Sequence, residues 1–342
     1  MRVFILGVNG FIGNALVKEI LQTQDWHVTG IDIEKDRLDR DVRKNPKFEF
    51  YHGDIAINRE WIEFQIKRCD VVLPLAAVAI PKIYVENPLF VFELDFKENL
   101  KIVELAAKYD KRIVFPSTSE VYGMCQDREF DEESSNLVLG PVNKQRWIYS
   151  CGKQLLDRVI HAYGLQHDLR YTLFRPFNWI GPHLDRVDAK KIGNSRVLTE
   201  FVSSIVFNKE ITLVDGGLQK RCFLYLDDGI DAVVKILADG RDGKTNRGIF
   251  NLGNPGNEAS IAEVARLVVE LYNEHSRSKS HAFTAGITEK SSQDFYGQGY
   301  QDMTSRMPSI KNARNILGWN PKYRLRDSIR LTLESVLAEL RE

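Results

Sequence analysis

The chain has 342 residues, more than one average domain and long enough to bury a large core. Apolar residues make up 43% and charged residues 27%, an ordinary globular balance. Lysine plus arginine equals aspartate plus glutamate at 47 each, so the formal net charge is zero, which argues against nucleic acid as a partner and leaves only local basic pockets.

No apolar run approaches the ~20 residues of a membrane helix, so no membrane association is expected. Gly7, Asn9 and Gly10 interrupt the N-terminal apolar run too early for a signal peptide. The four cysteines, Cys69, Cys125, Cys151 and Cys222, lie far apart and suggest neither a metal site nor a disulfide framework. A soluble protein of the reducing cytoplasm is the expectation.

Taken in order, VFILG (3–7) predicts a strand and 12–23 a helix. HVTGIDI (27–33) and FEFYHGDI (48–55) predict the next two strands. A helix follows at 59–67, then the strand DVVLPLAA (70–77), a long helix at 89–109 and the strand RIVFPSTS (112–119). Residues 147–164 read as a helix and RYTLFRP (170–176) as a strand. Strands alternating with helices imply right-handed βαβ units and a parallel sheet covered on both faces. The expected class is α/β, a Rossmann-type doubly wound sheet with a smaller C-terminal substrate-binding lobe.

Beyond residue 177 the pattern loosens. Asn, Gly, Pro and Asp cluster through 178–194, a helix is predicted at 196–208 and a strand at 211–215. Strand and helix return in FLYLDDGIDAVVKIL, GIFNLGN (248–254) reads as a strand and 260–275 as a helix. Residues 276–309 are polar and irregular and predict a flexible loop. The end, 310–341, predicts two helices split at Pro321. The division expected is residues 1–177 for a dinucleotide and 178–342 for a substrate, with some elements of the second part returning to the first and the cleft between them holding the substrate.

The first chemical signal is Gly7-Val8-Asn9-Gly10-Phe11-Ile12-Gly13, between the first strand and its helix. Glycines there let the backbone turn tightly and approach a pyrophosphate, whose charge the helix N-terminus stabilises. Asp32 ends the second strand, where a carboxylate accepts hydrogen bonds from ribose hydroxyls and repels a 2′-phosphate, favouring NAD over NADP. A glycine turn beside a solvated acid is the plainer alternative.

The GxxGxxG spacing resembles the extended short-chain dehydrogenase/reductase family. That resemblance demands a Tyr-x-x-x-Lys pair on a later helix, and Tyr149-Ser150-Cys151-Gly152-Lys153 supplies it. Positions i and i+4 share a helical face, so the Lys153 ammonium would lower the Tyr149 phenol pKa and make it a base. An isolated pair of this kind is usually a helix surface pair. The resemblance further implies that Thr118 hydrogen-bonds the reacting oxygen, with Ser119 beside it. It implies that Gly7, Gly10, Phe11, Ile12, Gly13, Asp32, Asp54, Ile55, Leu75, Ala76 and Ala77 line the NAD site together with Tyr149 and Lys153. Satisfied strand ends and an Asp-capped turn are the structural alternatives for Ser117–Ser119 and Asp54.

The segments STSEVYGMC, GPVNKQRWIYS, LFRPFNWIGP, DGGLQKRCF and GYQDMTSRMPSI narrow the likeness. Over essentially the whole chain they resemble the dehydrogenase/decarboxylase halves of bifunctional polymyxin-resistance proteins. The resemblance implies oxidative decarboxylation of UDP-glucuronic acid on the route to aminoarabinose-modified lipid A. It assigns Glu120 as a base and Arg306 as a proton donor, although a guanidinium is a poor acid and suits positioning a carboxylate or stabilising an enolate. It places Ala79, Tyr84, Thr118, Ser119, Arg146, Asn178, Lys220, Arg221 and Tyr300 on the nucleotide sugar. A basic pair on an exposed strand is the alternative for Lys220 and Arg221, and a loop ion pair for Arg306.

Relatives often carry a lysine for the uridine where this chain has Thr212. Phe177 and Trp179 stand open between base stacking and core. Relatives are usually fused to a formyltransferase, so the alternatives are a stand-alone enzyme and one with a formyltransferase partner or fused domain outside this chain; a homo-oligomer, a dimer, is expected. UDP-xylose synthase and nucleotide-sugar 4-epimerase are the nearest rival activities. A non-catalytic NAD sensor is remote, because such proteins commonly lose the Tyr–Lys pair.

Overall fold

The computed structural model describes residues 1–185, 187, 195–275 and 282–340. Its centre is a seven-stranded parallel sheet. The strands are β1 (Arg2–Leu6), β2 (His27–Asp32), β3 (Phe48–His52), β4 (Val71–Pro74), β5 (Arg112–Pro116), β6 (Tyr171–Pro176) and β7 (Gly248–Leu252). Their order is β7-β6-β5-β4-β1-β2-β3. Most of these strands are nearly continuous apolar runs, as a sheet covered on both faces requires; all four residues of β4 and all five of β5 are buried.

The order reverses direction between β4 and β1. Connections leave those two strands toward opposite sides, and a crevice opens at their C-terminal ends. One face is closed by the helices Phe11–Thr23 and Leu226–Ala238, which pack against each other, and the other by Asn99–Lys108 and Trp147–Gln166. Arg112, buried at the start of β5, donates to the carbonyls of Ile236 (2.8 Å) and Leu237 (3.3 Å). A cation there complements the negative end of the helix Leu226–Ala238.

The seventh strand comes from far along the chain, Gly248 pairing with Thr172 at the sheet edge. Beyond β6 the chain also builds small ribbons over the crevice. Trp179–Ile180 pairs with Leu224–Tyr225, and Lys220–Cys222 runs antiparallel to Glu258–Ser260. The C-terminal helices Lys311–Leu317 and Leu325–Glu339 flank Pro321 as the sequence predicts. Among the described residues no helix is long and apolar enough to cross a membrane.

Two segments depart from expectation. The polar stretch 276–309 is not one irregular loop: Ile287–Lys290 pairs in parallel with Ile211–Val214, and Ser292–Tyr296 is a helical turn capped by the Ser291 side chain. Polar composition hid a strand that is exposed along most of its length. Residues 276–281 of that stretch, and 186 and 188–194 of the cluster after β6, lie outside the described residues. The expected helix 89–109 is continuous in space, but Phe92–Glu98 widens into π-helical turns before Asn99–Lys108 resumes.

Candidate active site

The crevice above β1, β4 and β5 holds a cavity of about 510 Å³. Its floor is the turn after β1. Gly7 has φ +85°, and a Cβ there would stand 2.6 Å from the Ala76 amide nitrogen. A Cβ on Gly13 would stand 2.4 Å from the Gly7 carbonyl oxygen, so the helix beginning at Phe11 packs onto the turn only without a side chain there. Gly10, Phe11 and Ile12 line the cavity with them, as do Leu75, Ala77 and Ala79 after β4.

At the end of β2, Asp32 accepts from the Asn9 amide (2.8 Å) and the Glu34 amide (3.3 Å). Burial raises its carboxyl above the usual range against those donors. A glycine floor, a helix N-terminus and a strand-end carboxylate fit a dinucleotide. Arg37, which the sequence reading missed, lines the same cleft and donates to the His183 carbonyl at 3.1 Å.

Asp54 lies apart from this lining. Its carboxylate accepts from the Ala56 amide at 2.8 Å, the turn-capping alternative. Ile55 is core, and Ala76 packs beneath Gly7 rather than into the cavity.

The helix Trp147–Gln166 presents Tyr149 and Lys153 to the cleft, both buried. The Tyr149 ring stacks on Tyr84 with centroids 4.6 Å apart and planes 8° apart. Lys153 donates to the Pro116 carbonyl at 3.0 Å. The phenol stands above its ordinary value, not below it. Burial is the largest cause, with Asp95 and Glu120 adding to it against a hydrogen bond with Thr118. The expected lowering by Lys153 is not seen, because a desolvated phenol with two acids in its field favours the neutral form.

Asp95 was not anticipated. It lies in the π-helical turns, 1% exposed, and both carboxylate oxygens accept from the Val78 amide (3.1 and 3.2 Å). Burial pushes its carboxyl up to about 7, against the attraction of Lys153. The charge of Asp95 disfavours the phenolate of Tyr149 and favours the ammonium of Lys153. Asp95→Asn keeps the acceptor for Val78 and deletes the charge. Both groups then titrate lower, and both limbs of the rate–pH profile are expected to move to lower pH; unmoved limbs would leave Asp95 a structural cap only.

At the end of β5, Thr118 caps the turn Ser119–Tyr122 and so fixes Glu120 at the cleft wall. Three arginines converge there from distant parts of the chain. Arg146 Nη2 lies 2.9 Å from Glu120 Oε2, Arg306 Nη2 donates to Glu120 Oε1 at 2.9 Å and Arg306 Nη1 to Ser119 Oγ at 3.2 Å. Arg221 Nη2 donates to Asp302 Oδ1 at 2.7 Å. Burial pushes Glu120 up, but Arg146 and Arg306 outweigh it and hold the carboxyl below its usual value. Glu120 is thus ionised and a weak base in this arrangement. Asn178, Tyr300 and Thr212 also line the cavity, Asn178 with φ +43° and an unpartnered, buried Oδ1.

Lys220 does not join them. Its side chain is 54% exposed and lies 3.7 Å from Glu258, the exposed basic residue of the alternative reading. Alternation along Lys220–Cys222 turns Lys220 out and Arg221 in. Phe177 and Trp179 are both buried, and the Trp179 indole donates to the Leu252 carbonyl at 2.8 Å. Arg175 lies under the wall, where Nη2 donates to Asp157 (3.0 Å) and Nη1 to the Tyr122 hydroxyl (2.8 Å).

Fold and site together define a Rossmann-type enzyme of the short-chain dehydrogenase/reductase kind. Residues 3–253 match the NAD dependent epimerase/dehydratase family, and the chain belongs to that family, with NAD as its cofactor. Among solved structures it is similar to the PbgP3 protein from Burkholderia pseudomallei, at 48% identity over 99% of this chain and 97% of that one, with a TM-score of 0.89. A UDP-glucuronic acid 4-epimerase from Bacillus cereus, in complex with UDP-glucuronic acid and NAD, shares the fold at 19% identity and a TM-score of 0.80, over 99% of this chain and 100% of that one. So does a dTDP-glucose 4,6-dehydratase from Bacillus anthracis in complex with NAD, at 21% identity and a TM-score of 0.78, over 100% and 98% of the two chains.

Proposed function

We propose that this protein oxidatively decarboxylates UDP-glucuronic acid to a UDP-4-keto-pentose. The observation that carries the reading is Arg306, whose buried guanidinium meets Ser119 and Glu120 at the strand edge that bears Thr118. A cation fit to receive a sugar carboxylate thus stands beside the hydroxyls of the acid–base site. A neutral hexose would bring no carboxylate to it. The motif resemblance supports the same reading.

Gly7–Gly13 and Asp32 would hold NAD+, which would accept the hydride from C4 and bring a positive ring that favours the phenolate. Tyr149 takes the proton of the C4 hydroxyl, and Thr118 steadies that oxygen by hydrogen bonding. The C4 ketone is β to the C6 carboxylate. The C5–C6 bond breaks, CO2 leaves, and its electron pair passes into the enolate at C4. Arg306 and Arg146 offer cations for that charge, and a proton delivered to C5 completes the keto-pentose. Asn178 and Arg221 would hold the diphosphate and Tyr84 and Tyr300 the sugar end.

Incubation with NAD+ and UDP-glucuronic acid tests the proposal. Reduced-nicotinamide absorbance should rise in step with a product lighter by CO2 and two hydrogens. UDP-xylose without net NADH would point instead to the synthase, and a 4-epimer of unchanged mass to an epimerase. Glu120→Gln, which removes the carboxylate that holds Arg146 and Arg306 in place, should slow CO2 release about 10²-fold while substrate still binds. Unchanged release would remove Glu120 from the chemistry. A dimer, a formyltransferase partner, a cytoplasmic location and a role in lipid A modification belong to the same proposal, and sedimentation of the purified chain checks the first of these.

A further inference from the structure

Asp302 is the one member of the cleft's charge cluster that the proposed reaction does not use. Its Oδ1 accepts from Arg221 Nη2 at 2.7 Å and lies 3.5 Å from Arg146 Nη2. Arg221 Nη1 is already committed to two backbone carbonyls, Lys220 (2.7 Å) and Met303 (3.1 Å). Asp302 therefore engages Nη2, the terminal nitrogen of Arg221 that the backbone carbonyls leave for an anion. Arg146 is 2% exposed, and its Nε and Nη1 have no hydrogen-bond partner among the described residues. With Arg306, three buried arginines face two carboxylates, Glu120 and Asp302.

Burial pushes the Asp302 carboxyl up, but Arg221, Arg146 and Arg306 together hold it below its ordinary value, so it stays charged. Buried cations of like sign need an anion close by. In the absence of a ligand, Asp302 supplies part of that charge from within the chain.

We propose that Asp302 sets the charge requirement of the substrate cleft: it holds Arg221 Nη2 and stands beside Arg146 until a ligand with dense negative charge, such as a nucleoside diphosphate, takes over those cations. The inference rests on the nucleotide-sugar reading and adds a specificity-determining residue to it. A neutral ligand gains little from these arginines, because two carboxylates already offset most of their charge. A diphosphate exchanges one anion for a stronger one and must also displace or tolerate the carboxylate, which costs affinity.

The test is calorimetric binding to the full chain saturated with NAD+, which fills the cofactor's own diphosphate site. Three probes are titrated at one ionic strength: uridine, UDP and inorganic pyrophosphate. Asp302→Asn should tighten UDP and pyrophosphate about tenfold and leave uridine unchanged. UDP and pyrophosphate weakened or unaltered in that variant would overturn the proposal and make Asp302 a mere strut for the arginines. Should Asp302→Asn fail to fold, a crystal of the wild type with UDP decides. The 2.7 Å contact between Asp302 and Arg221 should open, and finding it intact with diphosphate bound overturns the idea. If UDP binds the wild type no better than pyrophosphate, the nucleotide reading fails, while the pyrophosphate arm still tests Asp302.

Discussion

Tyr149→Phe is expected to lower reduced-nicotinamide formation about 10³-fold with the fold and the dinucleotide affinity retained. The substitution deletes one oxygen. The ring's stack on Tyr84, 4.6 Å between centroids, and its burial both survive. The oxygen it removes lies in hydrogen-bonding relation to Thr118 at the end of β5. Its size of effect follows from how far this phenol is from being a ready base. Burial, Asp95 and Glu120 all hold its proton on. A site that raises a phenol in this way keeps it neutral until positive charge arrives beside it, and on the proposed role proton removal would be timed to the assembled complex. Single-turnover absorbance with saturating UDP-glucuronic acid measures the loss. A rate near wild type would take Tyr149 out of the reaction, and weakened NAD+ binding of similar size would assign it to binding instead.

The parts of this site that were legible in the sequence are the local ones. The glycine turn, Asp32 and the Tyr149–Lys153 pair each declare themselves within a few residues, because strand, turn and helix there are consecutive. Arg146, Arg221 and Arg306 meet only through tertiary structure, and no spacing predicts that; the family likeness named them. Lys220 was misplaced although strand alternation, read strictly, already separates it from Arg221. Asp95 left a signal that went unread. It lies on the stripe of Val91, Ile102 and Ala106, so an acid and then Asn99 interrupt the buried face of a helix. A charge on an apolar stripe is a demand for a partner, here the Val78 amide and Lys153. Asp302 left none, since an acid between Gln301 and Met303 in a polar stretch reads as solvated. The seventh strand of the sheet was predicted as a strand, but its place beside β6 follows from topology.

Gly13→Ala is expected to weaken NAD+ binding on the order of 100-fold and to lower the unfolding midpoint as well. The backbone of Gly13 is not the reason, as it sits in an ordinary helical turn. Space is the reason. The new Cβ would meet the Gly7 carbonyl oxygen at 2.4 Å and the Val8 Cα at 2.8 Å, both backbone atoms of the turn. The turn cannot withdraw, because Gly7 itself rests against Ala76 and its amide is bonded to the Ile31 carbonyl at 2.8 Å. Something must shift, at a cost of about 1–3 kcal/mol for overpacking, and the N–H groups that would meet the pyrophosphate shift with it. Gly10→Ala separates the two effects. Its Cβ would meet only the Gly7 oxygen, at 3.2 Å, a tight contact without the overlap of Gly13, so the loss of stability should be smaller. Its methyl would still stand on the floor of the cleft and weaken the dinucleotide. Calorimetric affinity and thermal unfolding, measured on both variants, read the two effects apart. A Gly13→Ala protein with wild-type stability and wild-type affinity would mean that the first turn is not the rigid seat of the cofactor.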